Sequence, residues 1–182
     1  MCDFQYHYEQ LQIRQGDPPM AKRVKKCAMP LVIQNWKEYA SKSRTGMKGM
    51  TAEPLEDCVM EILKTELRNL NVEVEKRKKF EIWHEVSVVM DGLLRKPNKP
   101  TTLLSIKVWM WSGNYRETFG YGYFAKSWYG QKNIRLYVVA LYLYELPEAM
   151  MHISKPWIDG LYYISQNPYI DILVNELKTL YK

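Results

Sequence analysis

Cysteine is scarce in this chain. There are three among 182 residues, Cys2, Cys27 and Cys58, irregularly spaced and with no Cys-x-x-Cys pair. That argues against a structural zinc site or a disulfide framework, and reduced thiols in a cytoplasmic setting are the expectation. Long apolar runs are missing as well. None approaches the roughly 18 residues of a membrane span, and the first residues lack a signal-peptide core, so no membrane partner is expected. Glycine-rich phosphate loops are absent, because Gly120-Tyr121-Gly122 follows polar loop sequence and not a strand. There is no Gly-x-Ser-x-Gly elbow, no cysteine with a convincing histidine partner and no His/Glu pair at metalloprotease spacing. Only three histidines occur, and His7 and His152 carry no usable signal.

What is present fits a folded protein with an anionic partner. Apolar residues make up 47% and charged residues 25%, and the length suits one domain over residues 1–182. The reading places a core at about 51–145, an N-terminal extension at 1–50 and a C-terminal helical segment at 146–182. The formal charge is +6, a moderate excess compatible with a polyanion. Six Trp and 14 Tyr suit stacking on bases, although core and amphipathic surface account for such rings equally well.

Along the chain, residues 4–13 alternate weakly and read as a short strand or ordered arm. Gln15 to Pro19 is a turn. Lys22, Arg23, Lys25 and Lys26 form a basic run, either a solvated face or a nucleic-acid arm. Pro30 at a first helical turn opens a short helix through Tyr39. Ser41 to Met50 is a polar loop carrying Arg44 and Lys48. Thr51 reads as an N-cap, and Leu55, Val59, Ile62, Leu63 and Leu67 at helical spacing predict a helix over 52–69. Val72 to Val74 and Glu81 to Leu94 read as strands. Residues 97–100 turn the chain into a strand over 101–111, and a helix is expected from about Glu117 to Trp128. The run Ile134 to Tyr144 is apolar throughout, as in a central strand buried on both faces. Short helices follow at 147–153 and 168–181.

Two residues in this frame are hard to assign to packing. Asp91 ends an apolar run, Val88-Val89-Met90-Asp91-Gly92. Lys107 lies inside the next one, Leu103-Leu104-Ser105-Ile106-Lys107-Val108-Trp109. Strand alternation puts Leu103, Ser105 and Lys107 on one face, where a lysine costs free energy unless it meets a negative charge. Adjacent strands lie ~4.8 Å apart, so a hairpin brings the acid and the lysine into one ligand sphere. Each has a plainer reading: Asp91-Gly92 as the start of a turn, Lys107 as a lysine snorkelling at a sheet edge. His84, in the strand before Asp91, reads as a hydrogen-bonded strand histidine.

The element order and the Asp-Gly…Ser-x-Lys hairpin resemble the PD-(D/E)xK nuclease superfamily over roughly residues 51–145. The resemblance implies an α/β fold, a restriction-endonuclease-like α/β/α sandwich with a central mixed sheet, core order αβββαβ plus terminal helices. It implies a Mg2+- (or Mn2+-) dependent DNA endonuclease, with RNA left open as substrate, and a homodimer to cut both strands. Asp91 then matches the metal-binding aspartate and Lys107 the lysine at the scissile phosphate. Glu56 matches the helix glutamate that completes the metal site, with Glu53 its competitor in the same turn. Met90 stands in place of the motif's proline, and Ser105 in place of its second acid. One branch of restriction enzymes looks similar, with Ser-x-Lys and a glutamate recruited from the following helix, and Glu117 is the acid placed for that role. Nucleic-acid contacts are expected from Lys22, Arg23, Lys25, Lys26, Arg44, Lys48, Arg116 and Lys126. The competing readings are a degenerate nuclease fold that binds without cutting, and a protein-interaction module using the aromatic segment 109–129.

Overall fold

A computed structural model describes residues 4–40 and 49–182. Its centre is a five-stranded sheet in chain order, β1 (Glu73–Trp83), β2 (Val86–Arg95), β3 (Thr101–Trp111), β4 (Ile134–Glu145) and β5 (Gly160–Tyr163). The pairs β1–β2 and β2–β3 are antiparallel, while β3–β4 and β4–β5 are parallel. Helices α1 (Phe4–Leu11), α2 (Pro19–Ala40), α3 (Gly49–Leu67) and α6 (Ile170–Tyr181) pack on one face. Helices α4 (Ser112–Tyr129) and α5 (Glu148–Ser154) cover the other. The result is an α/β/α sandwich with a mixed sheet, as the element order implied.

The alternation of β3 sorts its residues between two cores. Leu104, Ile106 and Val108 join Leu55, Val59 and Leu63 of α3, whereas Leu103 joins Tyr115 and Ala125 of α4. Strand β4 is buried without interruption from Leu136 to Tyr142, as a parallel strand covered on both faces must be. Gly92 is a close-approach position: a Cβ there would lie 2.5 Å from the Met60 sulfur. Its absence lets α3 settle against the sheet one residue from Asp91.

Several expectations give way. Residues 4–11 are helical, not a strand, and Leu11 anchors the helix end in the core. The expected short helix at Pro30 is the second half of a 22-residue helix. Ala21, Val24, Ala28 and Val32 bury one stripe of it, and Pro30, on its exposed side, interrupts only one backbone hydrogen bond. Thr51 lies inside α3, not at its cap. The strand read from Glu81 onward is a hairpin that turns at His84 and Glu85, the latter at φ 63°. Strand β5 was not anticipated; four residues are too few for a periodic signal.

The cysteine expectation is corrected outright. Cys27 of α2 and Cys58 of α3 are joined by a disulfide. Their 31-residue separation in sequence concealed what helix packing brings together. No helix among the described residues is long and apolar enough to cross a membrane.

Candidate active site

The site forms where the sheet comes apart. Strands β2 and β3 pair only through Gly92↔Leu104, Leu93↔Leu103 and Leu94↔Thr102. Beyond that point β2 stays with β1 as far as Trp83↔Val86, and β3 stays with β4 as far as Trp111↔Glu145. Asp91 is the first residue past the split. Its carboxylate takes over the missing ladder bond: Oδ2 accepts the Ile106 backbone N–H at 2.6 Å, and the Lys107 ammonium lies 3.3 Å from the same oxygen. Both side chains keep some contact with solvent. Asp91 Oδ1 accepts no hydrogen bond among the described residues.

Glu56 approaches from α3. Its Oε2 accepts from Arg77 Nε at 3.0 Å, and Oε1 has no hydrogen bond among the described residues. The Glu56 carboxyl is held above its usual pKa, first because it is buried and then because Asp91 is close enough to repel its charge. Arg77 and Lys107 pull in the other direction. This electrostatic coupling ties α3 to the Asp91–Lys107 pair. Glu53, the competitor, is more exposed and pairs with Arg77 at 2.5 Å.

From the other face, α4 contributes Glu117, which accepts a hydrogen bond from the Tyr121 hydroxyl one helical turn on. The Tyr121 pKa is raised by burial, by Glu117 and, more weakly, by Asp91, so this pair lies within electrostatic reach of Asp91. Ser105 turns away from it. The residue is buried, and its Oγ lies 3.2 Å from Thr118 Oγ1 of α4. This contact joins strand to helix.

The structure brings together Asp91, Lys107 and Glu56, with Glu117 at the margin. It adds two residues that the sequence reading passed over, Arg77 and Tyr121. Arg77 was hidden in the basic run Lys76-Arg77-Lys78-Lys79, although antiparallel register sets it across from Asp91. Tyr121 was signalled only by its four-residue spacing from Glu117.

The nucleic-acid residues fare unevenly. Lys25 is fully buried, with its ammonium 2.7 Å from Asp17 Oδ2 and 3.2 Å from the Gln12 carbonyl. Lys126 is also inside, 2.7 Å from Asp159 and bonded to the Pro156 carbonyl. Neither can reach a phosphate, because each neutralises a carboxylate within the fold. Arg23 pairs with Glu66, Lys22 is half-buried, and Lys26 and Arg116 are exposed. Arg44 and Lys48 lie outside the described residues. His84 sits at the hairpin tip, its ring centroid 4.1 Å from that of Trp128. It belongs to an exposed aromatic cluster with Trp83 and Phe124, not to the Asp91–Lys107 pair.

Whether this donor set suits a divalent cation is a matter of chemistry. The donors are carboxylate oxygens, the hard ligands that magnesium and manganese prefer. Magnesium needs only one or two of them, because it keeps most of its waters and takes substrate phosphate oxygens as well. Asp91 and Glu56 each have one oxygen engaged by protein donors and the other uncommitted among the described residues, which fits that requirement. Among the described residues no group of three His, Cys, Asp or Glu side chains is gathered for a metal, so a fully protein-enclosed cage is not built here.

No protein-family model matches the chain, and no curated protein sequence matches it. Solved structures do. One is a restriction endonuclease PspGI–substrate DNA complex, 14% identical, with a TM-score of 0.54 over 89% of this chain and 82% of that one. At that identity the likeness establishes the architecture: the chain has a restriction-endonuclease-like fold.

Proposed function

We propose that the protein is a magnesium-dependent endonuclease that hydrolyses phosphodiester bonds in DNA. The observation that carries this reading is the pair of half-engaged carboxylates, Asp91 and Glu56, beside Lys107 at the sheet split. The matching fold, in a structure that holds substrate DNA, is consistent with it.

In this reading Asp91 and Glu56 hold the cation, which supplies positive charge against the developing charge of the phosphate and makes water more acidic. Asp91 is fixed by the Ile106 N–H and Lys107. Lys107, 3.3 Å from Asp91 and partly open to solvent, is placed to reach the non-bridging oxygens of the scissile phosphate and favours the more highly charged transition state. Glu117, held by Tyr121, is the third carboxylate bordering the cleft and stands in for the acid that Ser105 cannot supply. Of the expected nucleic-acid contacts among the described residues, Lys26 and Arg116 are exposed and would meet the DNA backbone. A homodimer would present two such clefts to the two strands.

Incubation with mixed DNA substrates and Mg2+ tests the reading. Metal-dependent cleavage that Asp91→Ala and Lys107→Ala abolish is expected. Wild-type protein that cuts nothing, or cutting unaffected by either substitution, refutes it. Ser105, standing where a second acid would complete the site, favours one second reading, a nucleic-acid binder that does not cut. That reading predicts salt-dependent binding with a negative log–log slope and no turnover with any divalent cation.

A further inference from the structure

We propose that Arg77 is the positioning residue of this site: its guanidinium holds Glu56 beside Asp91 with one carboxylate oxygen left for a divalent cation. The inference rests on the metal-site reading above and adds to it a residue outside the metal ligands.

The argument begins in the backbone. The flanking pairs Lys76↔Gly92 and Lys78↔Met90 set Arg77 directly across from Asp91, and between Glu73 and Glu81 this is the one position where the β1–β2 ladder makes no pair. Arg77 has φ 50°, in the left-handed region that residues with a Cβ rarely enter. Such a conformation persists where the surroundings over-determine it. Here the surroundings are three carboxylates from a single turn of α3. Nη1 lies 2.5 Å from Glu53 Oε1, Nε 3.0 Å from Glu56 Oε2 and Nη2 3.8 Å from Asp57 Oδ1.

The division of those contacts defines the role. Glu53 and Asp57 are 61% and 41% exposed, while Glu56 is 14% exposed. The two outer carboxylates anchor the planar fork, and only Nε reaches the inner one. A guanidinium occupying the cation's own place would engage both Glu56 oxygens; this one engages a single oxygen. Orientation of a ligating carboxylate by a second hydrogen-bonding group is typically worth ~10–100-fold in metal affinity. A lysine offers a point charge and no fork, so it cannot span three carboxylates.

Mn2+ binding to the full chain, followed by loss of the free-ion paramagnetic resonance signal, tests this with Arg77→Ala, Arg77→Lys, Glu56→Gln and the double variant Glu56→Gln/Arg77→Ala. Arg77→Ala should weaken binding ~10–100-fold, and Arg77→Lys should recover part of the loss. In the Glu56→Gln background, removing Arg77 should cost nothing further, because the residue acts through Glu56. Thermal melts without metal separate loss of fold from loss of site, and Arg77→Lys keeps the test available should the alanine variant not fold. Equal or tighter binding by Arg77→Ala, or losses that multiply in the double variant, overturns the role of Arg77 alone. Wild-type protein that takes up no Mn2+ overturns the metal site itself, and this inference with it.

Discussion

Replacing Asp91 by alanine and by asparagine separates its structural work from its proposed chemistry. The Asp91 carboxylate accepts the Ile106 N–H at 2.6 Å, in a residue only 2% exposed. Alanine removes that acceptor where no neighbouring strand can replace it, and an unsatisfied buried donor costs about 1–3 kcal/mol. Losing Lys107's partner adds little, ~0–1 kcal/mol, because that ammonium is partly exposed and can rehydrate. Asparagine keeps an oxygen that can accept from Ile106 and loses only the charge. Alanine should therefore be the less stable variant by about 1–2 kcal/mol, a difference of a few degrees in melting temperature for a chain of this length. Both variants should lose DNA cleavage at least about a hundredfold, since disturbing even a group behind a metal ligand costs 10–100-fold. Urea unfolding gives the first quantity and a Mg2+-dependent cleavage assay the second. Equal stability of the two variants would remove the Ile106 bond from the account. Near wild-type cleavage by Asp91→Asn would remove Asp91 from the metal site.

Three further outcomes follow from the geometry. Lys25→Met leaves the Asp17 carboxylate buried without its cation, a change worth about 3–5 kcal/mol; pairing it with Asp17→Asn should recover much of the loss, as read by chemical denaturation. Opening the Cys27–Cys58 bond, which closes a sequence separation of 31 residues, should destabilise the fold by about 3–4 kcal/mol from chain entropy. Unfolding with and without reductant, and in Cys27→Ala/Cys58→Ala, measures it. Because burial and Asp91 raise the Glu56 pKa, the proton competes with metal up to a higher pH than for an ordinary glutamate. Mn2+ affinity should fall as the pH is lowered, beginning above the usual carboxylate range, and Glu56→Gln should lose that part of the dependence in binding isotherms run from pH 5 to 8.

Periodicity made much of the frame legible. The stripe Leu55, Val59, Ile62, Leu63 and Leu67 of α3 is buried as its spacing required, and the apolar run of β4 lies between two helical layers. Asp91 and Lys107 were conspicuous because each is a charge inside a run where packing wants none. The pattern failed where burial came from partners distant in sequence. Lys25 reads as one more cation in a basic run until Asp17 is found against it, and Lys126 until Asp159 is. Cys27 and Cys58 carry no spacing signal because two helices, not a motif, bring them together.

The sequence by itself determined the alternation of strands and helices and the presence of an acid and a lysine on neighbouring strands, since these depend on side-chain period and local turn chemistry. Tertiary structure decided which acids gather. The split between β2 and β3 gives Asp91 the Ile106 N–H, Gly92 lets α3 approach, and Arg77, turned across from Asp91, takes hold of Glu56. Ser105 is drawn away by Thr118. Those outcomes depend on where the ladder stops and how closely the helix packs, quantities set by contacts tens of residues apart that no local pattern encodes.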